Sequence, residues 1–250
     1  MLFQCTLQCS LVSHPFFLFH ILLCAFDTFS CAPFYTFPHV PFYTLSWLDR
    51  ICTILKSESE PAILVQAAAV LGSFACNSEP SIVQILVSSG TVPCLLHLLS
   101  HDSPPVIATA LRSLKILFEC AQVPRDLLFR PNQELLLRVI ALLSVPRDDE
   151  LNQISAAFVA NVAVTEHEQG TLFALGAVQP LCKLLFSKHA KSQQSALEAL
   201  SVLTRHEQVA KVMAQDTQVT ERILCLVKDK RASLRLFAMK WYVVWVVYVI

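Results

Sequence analysis

Apolar residues recur along the chain in pairs four positions apart: Ile51/Leu55, Leu95/Leu99, Val139/Leu143, Leu181/Leu185 and Ile223/Val227. A spacing of four sets both members on one face of a helix. Successive pairs lie 44, 44, 42 and 42 residues apart. A second register runs beside the first, through Ala67, Ala110, Ser155, Ala196 and Ala238, with separations of 43, 45, 41 and 42. Small side chains at a fixed recurrence mark places where two helices must approach closely. Two registers with one period predict about four and a half copies of a single helical unit, each burying its apolar face against the next. No alternating strand pattern competes with them.

The order of signals inside one unit is constant. In residues 166–204 a short amphipathic piece around Leu172 and Phe173 ends at Gly176. A second helix follows with Leu181, Leu184 and Leu185, then a polar turn, then a third helix from Ser195 to Leu203. Gly176 suits the left-handed conformation that closes a helix, and Pro180 suits the first turn of the next. The earlier copy reads alike, with Ile85 and Leu86, Gly90, Pro93, Leu95, Leu98 and Leu99, and then Ala110 to Phe118. Gly90 and Gly176 are 86 residues apart, two repeats of 43. One short helix followed by two longer ones is the expected unit.

The segments Gly90-Thr-Val-Pro-Cys-Leu-Leu-His-Leu-Leu99 and Gly176-Ala-Val-Gln-Pro-Leu-Cys-Lys-Leu-Leu185 resemble the armadillo-repeat signature. The resemblance covers residues 47–240 and implies an all-α, right-handed armadillo superhelix. The third repeat departs from it, with Pro131 and Glu134 where a glycine turn is expected, and the fifth has Gln218. Less generic runs narrow the resemblance: Val70-Leu-Gly-Ser73, Leu111-Arg-Ser-Leu-Lys-Ile-Leu-Phe118, Ile140-Ala-Leu-Leu-Ser144, Leu172-Phe173 with Gly176-Ala-Val-Gln179, and Ser201-Val-Leu203. In this order and spacing they are similar to the N-terminal repeats of the armadillo repeat-containing protein 8 family. That similarity implies a non-catalytic scaffold subunit of a CTLH (GID-type) E3 ubiquitin ligase complex, partnered by RING-type ligase subunits and a substrate receptor. It also implies a cytoplasmic and nuclear location and a role in ubiquitin-dependent degradation. The alternative is a general armadillo interaction module, a trafficking or adhesion adaptor, tethered to a membrane through its N-terminal segment.

Armadillo proteins that bind extended peptides, the nuclear-import adaptors and catenins, hold the ligand backbone with a ladder of Asn amides on successive third helices. Six positions beyond each small anchor stand Ser73, Ile116, Asn161 and Val202, so Asn161 alone has the required side chain. A lone Asn is more often a local hydrogen-bonding group than a peptide clamp. The polar positions expected on the partner-facing side are Arg112, Lys115, Asn161, Gln194, Glu198 and Arg205, with a merely solvated face as the plainer account of any one of them.

Catalytic readings are weaker. His97 and His101 are four apart, yet no Glu follows His97 as a helical zinc-protease motif requires. Glu166, His167 and Glu168 are adjacent and so point in different directions, which reads as the start of a helix. Four glycines leave no phosphate-binding loop or nucleophile elbow. No catalytic residue, cofactor or metal ligand is expected.

Composition divides the chain. Overall it is 54% hydrophobic and 15% charged, with 19 basic and 19 acidic side chains, so no net charge draws it to nucleic acid or anionic lipid. Residues 1–46 carry one charge, Asp27, and 9 of the 16 Phe; the last ten, Trp241 to Ile250, carry none. Pro15 to Phe26 has the length of a signal-peptide core without a basic n-region, and it is short of the ~20 residues of a membrane span. We expect 1–46 to lie outside the folded unit, as a wrongly assigned exon rather than a signal or anchor. The repeats are expected at 47–240 and an apolar tail outside them at 241–250. The ten Cys form no CxxC pair, and the six beyond residue 46 fall singly among apolar positions, as reduced, buried core thiols would.

Overall fold

The computed structural model describes residues 42–249, apart from 78–79, 121–122, 124, 126–127, 130–133 and 146–147. The expectation for residues 1–41 lies outside the described residues. Within them the chain forms thirteen helices and no strand. These are α1 (Phe42–Ser57), α2 (Pro61–Asn77), α3 (Pro80–Ser88), α4 (Thr91–Leu98), α5 (Pro104–Glu119), α6 (Glu134–Leu142) and α7 (Asp149–Val162). They continue as α8 (Glu166–Ala174), α9 (Val178–Leu184), α10 (Ala190–Leu203), α11 (Glu207–Gln215), α12 (Thr217–Val227) and α13 (Ala232–Val249).

The unit differs from expectation in its proportions. Apart from α1, a second helix of 16 residues, the leading helices are shorter than the third helix of their repeat, such as the 9 and 7 residues of α8 and α9 against the 14 of α10. The third helices also begin earlier than the apolar pattern suggests. Pro104 and Pro105 fall in the first turn of α5, where a missing N–H costs nothing because that position has no intrahelical partner. Gly90 and Gly176 do adopt left-handed backbones, with φ of 77° and 82°, before α4 and α9. Thr165 and Glu168 close a capping box on α8: the Thr165 hydroxyl accepts from the Glu168 amide, and the Glu168 carboxylate accepts from the Thr165 amide at 2.7 Å. In the irregular third repeat, Val123 and Leu128 are buried although no glycine turn precedes α6.

The third helices stack as a ladder: α2 on α5, α5 on α7, α7 on α10 and α10 on α13. The small anchors Ala67, Ala110, Ser155, Ala196 and Ala238 are all fully buried along it. Phe118 of α5 meets Phe158 of α7 edge to face, with ring centroids 6.2 Å apart, an arrangement that aromatic quadrupoles favour. The ladder is also laced by side chains that donate to carbonyls of the preceding repeat. Ser113 donates to Ala68 O at 2.7 Å, Asn161 Nδ2 to Lys115 O at 3.1 Å, and Ser192 to Asp149 O at 3.0 Å.

Helices run across both expected boundaries. Residue 47 falls inside α1, and α13 runs unbroken through the boundary expected at 240. Trp241 is fully buried and stacks on Trp245 at 5.7 Å, so the start of the apolar tail packs as part of the last third helix. No single helix among the described residues is long and apolar enough to cross a membrane.

Candidate interaction surface

Counting from the small anchors sorts the exposed residues of the ladder into rows. Six positions on, Ser73, Ile116, Asn161, Val202 and Val244 are all half-buried. Two positions on stand Ala69, Arg112, Ala157, Glu198 and Lys240, each partly or fully exposed. Nine on, Cys76, Glu119 and Val247 are exposed on their helices, while Val164 and Arg205 are exposed just beyond the ends of theirs. These offsets describe one continuous stripe along every third helix. The structure thus brings Arg112, Lys115, Asn161, Gln194 and Glu198 to this side of the ladder. Arg205 is placed differently from the rest: it follows Thr204, the last residue of the α10 cap, and stands in the turn.

The chemistry of the stripe is more apolar and more internally paired than the polar candidates suggest. Arg112 forms an ion pair with Glu150 of the next repeat, and Lys115 pairs with Glu119 one turn along at 2.5 Å. Both pairs are substantially exposed, so each contributes at most about 1 kcal/mol and opens readily to a partner. The Asn161 side-chain Nδ2 donates to Lys115 O, while the Asn161 backbone carbonyl accepts from Arg125 Nη1 at 3.4 Å. Its side chain therefore ties two repeats together. Between the charges lie Ala69, Ile116, Ala157 and Val202, a floor of aliphatic groups.

The histidines take structural places. His101 Nδ1 accepts from the Ser103 amide at 2.9 Å and shapes the turn into α5, while His97 is exposed on α4. Among the described residues no three His, Cys, Asp or Glu side chains converge on a common point. An open depression between α8 and α11 is lined by Glu166, His167, Gly170, Thr171, Ala174 and His206. Its one hydroxyl, on Thr171, donates to the His167 carbonyl at 2.9 Å, and the His206 ring stacks on Phe173 at 6.3 Å. These side chains serve the packing of α8 on α11.

The cysteines depart from the expected uniform burial. All six described thiols are free; Cys52, Cys94 and Cys182 are buried, Cys120 is half-buried, and Cys76 and Cys225 are exposed. Burial pushes the Cys182 thiol up to about 12.

Residues 169–205, covering α8 from Gln169, α9 and α10, match the model of the Armadillo/beta-catenin-like repeat. Among curated proteins, the chain is 28% identical over 191 residues to armadillo repeat-containing protein 8 of Danio rerio, covering 74% of this chain and 28% of that protein. To the Mus musculus protein of the same name it is 29% identical over 160 residues, covering 64% of this chain and 23% of the relative. The chain thus spans about a quarter of the length of these relatives. Among solved structures, an engineered protein superposes with a TM-score of 0.70 at 20% identity, over 79% of this chain and 78% of its own. A designed armadillo repeat protein in complex with the peptide (KR)4 gives 0.69 at 18% identity, over 80% and 82%. The fold is an all-α armadillo solenoid.

Proposed function

We propose that this armadillo solenoid is a non-catalytic scaffold of a CTLH-type E3 ubiquitin ligase complex, in the cytoplasm and nucleus. It holds RING-type subunits and a substrate receptor in one assembly, and so promotes ubiquitin-dependent degradation. Its work is to present a surface. The observation that carries the reading is the third-helix stripe, where aliphatic rows are flanked by ion pairs exposed enough to exchange partners. Similarity to armadillo repeat-containing protein 8 across 74% of the chain supports the choice of complex. The inward use of Asn161 argues against a peptide-clamping ladder, because the amide that would hold a ligand backbone already holds Lys115 O.

Charge reversal at Arg112, Lys115 and Arg205 tests the proposal. Polar groups on an interface rim set association and specificity more than folding, so the triple variant is expected to fold like the parent and to lose co-precipitation with the RING subunits. Ubiquitination by the reconstituted complex should fall in proportion. Ligase assembly that is unchanged after removal of residues 60–240 would overturn the reading. Replacement of His97 or His167 should leave assembly intact.

A further inference from the structure

Each inner third helix turns one side to the repeat that follows. A Cβ on Gly72 of α2 would stand 3.1 Å from Ser113 Cα of α5, so the position five beyond an anchor faces the next repeat. On the same side, one beyond the anchors, stand Ala68, Leu111, Ala156 and Leu197; four beyond stand Leu71, Leu114, Val159 and Leu200. All eight are fully buried. On α13 the same positions, counted from Ala238, are open. Met239 is 51% exposed, Tyr242 41% and Val243 61%, with Leu236 and Val247 exposed beside them. The second helices agree: Cys52, Leu96, Ile140 and Cys182 are buried or half-buried, while Leu224, at their position on α12, is exposed.

Cations border this apolar strip. At 3.6 residues per turn, successive side chains are about 100° apart around the helix axis. Val246, Met239, Val243, Leu236 and Val247 then fall within a sector of about 100°, with Arg235 beside Tyr242 on one border and Lys240 on the other. Lys228 and Lys230 are exposed in the turn between α12 and α13. Residues 222–240 hold six basic side chains and one acid, whereas the rest of the chain holds 13 basic and 18 acidic. That one acid, Asp229, is engaged by Arg231. Among the described residues none of Lys228, Lys230, Arg235 and Lys240 meets a carboxylate. The zero net charge of the chain therefore conceals a positive pole at this end of the solenoid.

We propose that the exposed face of α13 docks the end of the solenoid on an anionic lipid surface. The helix lies along the bilayer rather than through it, since no described helix is long and apolar enough to cross. Leu236, Met239, Val243 and Val247 enter the acyl boundary, and Tyr242 takes the headgroup level that amphipathic aromatics favour. Arg235 and Lys240 reach from the borders of the strip to lipid phosphates. An apolar strip rimmed by cations suits this occupant better than two others. A second copy stacked on the same face would set two cationic rims against each other. Head-to-tail stacking of copies has no open face to use at the other end, where Leu64, Ala67 and Val70 of α2 are at most 3% exposed. Nucleic acid would satisfy the cations and leave the apolar strip in water. The proposal is independent of the scaffold reading, since it concerns a face outside the third-helix stripe.

The test is co-sedimentation of the full chain with vesicles of equal parts phosphatidylserine and phosphatidylcholine, against vesicles of phosphatidylcholine alone. The chain should sediment with the mixed vesicles, stay in solution with the neutral ones, and be released by high salt. Acyl-brominated lipid should quench the half-buried Trp245, and Trp245→Phe should lose that quenching. Lys240→Gln should weaken binding about fivefold. Met239→Glu combined with Val243→Glu, both at exposed positions, should abolish it while leaving the circular dichroism spectrum of the parent. Leu137→Glu, on an apolar side chain 49% exposed on α6, should bind as the parent does. Equal binding to neutral vesicles, or binding retained by the Met239→Glu, Val243→Glu variant, would overturn the proposal. So would a dimer in analytical ultracentrifugation that Val243→Glu disperses while the parent ignores vesicles. The comparison of the two vesicle types and the quenching of Trp245 are read on the parent chain, so they decide the matter however the variants fold.

Discussion

Replacing Leu185 with Asp tests the repeat register at its most buried point. Leu185 closes α9 and is fully buried; Arg222 Nε donates to its carbonyl at 3.0 Å from α12. Loss of the buried side chain removes about 1.5–3 kcal/mol of apolar transfer. The nearest cation, Arg222, is already engaged with the Leu185 carbonyl and the Phe186 ring, and even protonated the new carboxyl adds roughly 1–3 kcal/mol for an imperfectly partnered polar group. The sum is about 2.5–6 kcal/mol. In a domain of this size each kcal/mol moves the melting temperature by about 2–4 °C, so the fall should be at least about 5 °C. Protonation sets the pH dependence. Burial raises the folded-state pKa of the new Asp above its unfolded value, so stability is lost as pH rises through the unfolded pKa, and the variant should be least impaired in acid. Lys188→Asp, three residues on and exposed in the turn, is the matched control and should melt close to the parent. Thermal scans by circular dichroism give both values. Equal melting temperatures for the two variants would refute the register and the stacking inferred from it.

Further substitutions probe the lacing of the ladder. A Cβ on Gly72 would stand 2.6 Å from Ser113 Oγ and 3.1 Å from Ser113 Cα; Gly72→Val should therefore lower the denaturant midpoint by overpacking worth about 1–3 kcal/mol. Gly72→Ala should do so less, because about 1 kcal/mol of helix propensity offsets the clash. Asn161→Ala frees Lys115 O and should cost about 1 kcal/mol in urea unfolding; retained stability with lost partner binding would instead make Asn161 a contact residue. Thr165→Ala removes one half of the capping box and should destabilise by about 1 kcal/mol, seen first as faster amide exchange at the start of α8.

The repeat was legible in the sequence because burial on one helical face imposes a period on the apolar residues that no loop composition disturbs. Leu95, Leu181 and Ile223 are each fully buried, as the spacing required. Gly90 and Gly176 were legible for a different reason: a left-handed residue leaves few side-chain choices. Helix lengths were less so. The early starts of α5 and α10 lie in polar or proline-containing turns that carry no apolar period, and the order there comes from packing on the neighbouring repeat. Composition does not place the tail, because a run without charge reads alike whether it is foreign or buried; it is the burial of Trp241 against the ladder that joins its start to the last helix. Among the candidate residues, the helical register placed five on the stripe, but what each touches depends on the next repeat. Glu150 opposite Arg112 and Lys115 O opposite Asn161 are contacts across 38 and 46 residues, beyond the reach of local pattern.

Those cross-repeat contacts explain how a nearly uniform aliphatic interface settles on one alignment. Stacked faces of Leu, Val and Ala bury similar area after a slide of one helical turn, so apolar burial alone discriminates weakly between registers. A hydroxyl or amide seeking a carbonyl does discriminate, since a slide of about 5 Å leaves it buried and unpaired. Each lacing bond also uses a carbonyl that already serves its own helix, whose oxygen has a second lone pair to offer. The third helices therefore gain a register pin without surrendering a backbone bond. Ser113, Asn161 and Ser192 supply such pins at the contacts of α5 with α2, α7 with α5 and α10 with α7. The last contact is held instead by Arg231, which pairs with Asp229 and donates to Gln193 Oε1 at 3.3 Å. A link that reaches the buried Gln193 from an exposed Arg231 is a looser pin than a buried hydroxyl on a carbonyl. The α10–α13 contact is accordingly where hydrogen exchange should first report opening, and Arg231→Ala should speed it there while leaving the α5–α7 amides unchanged.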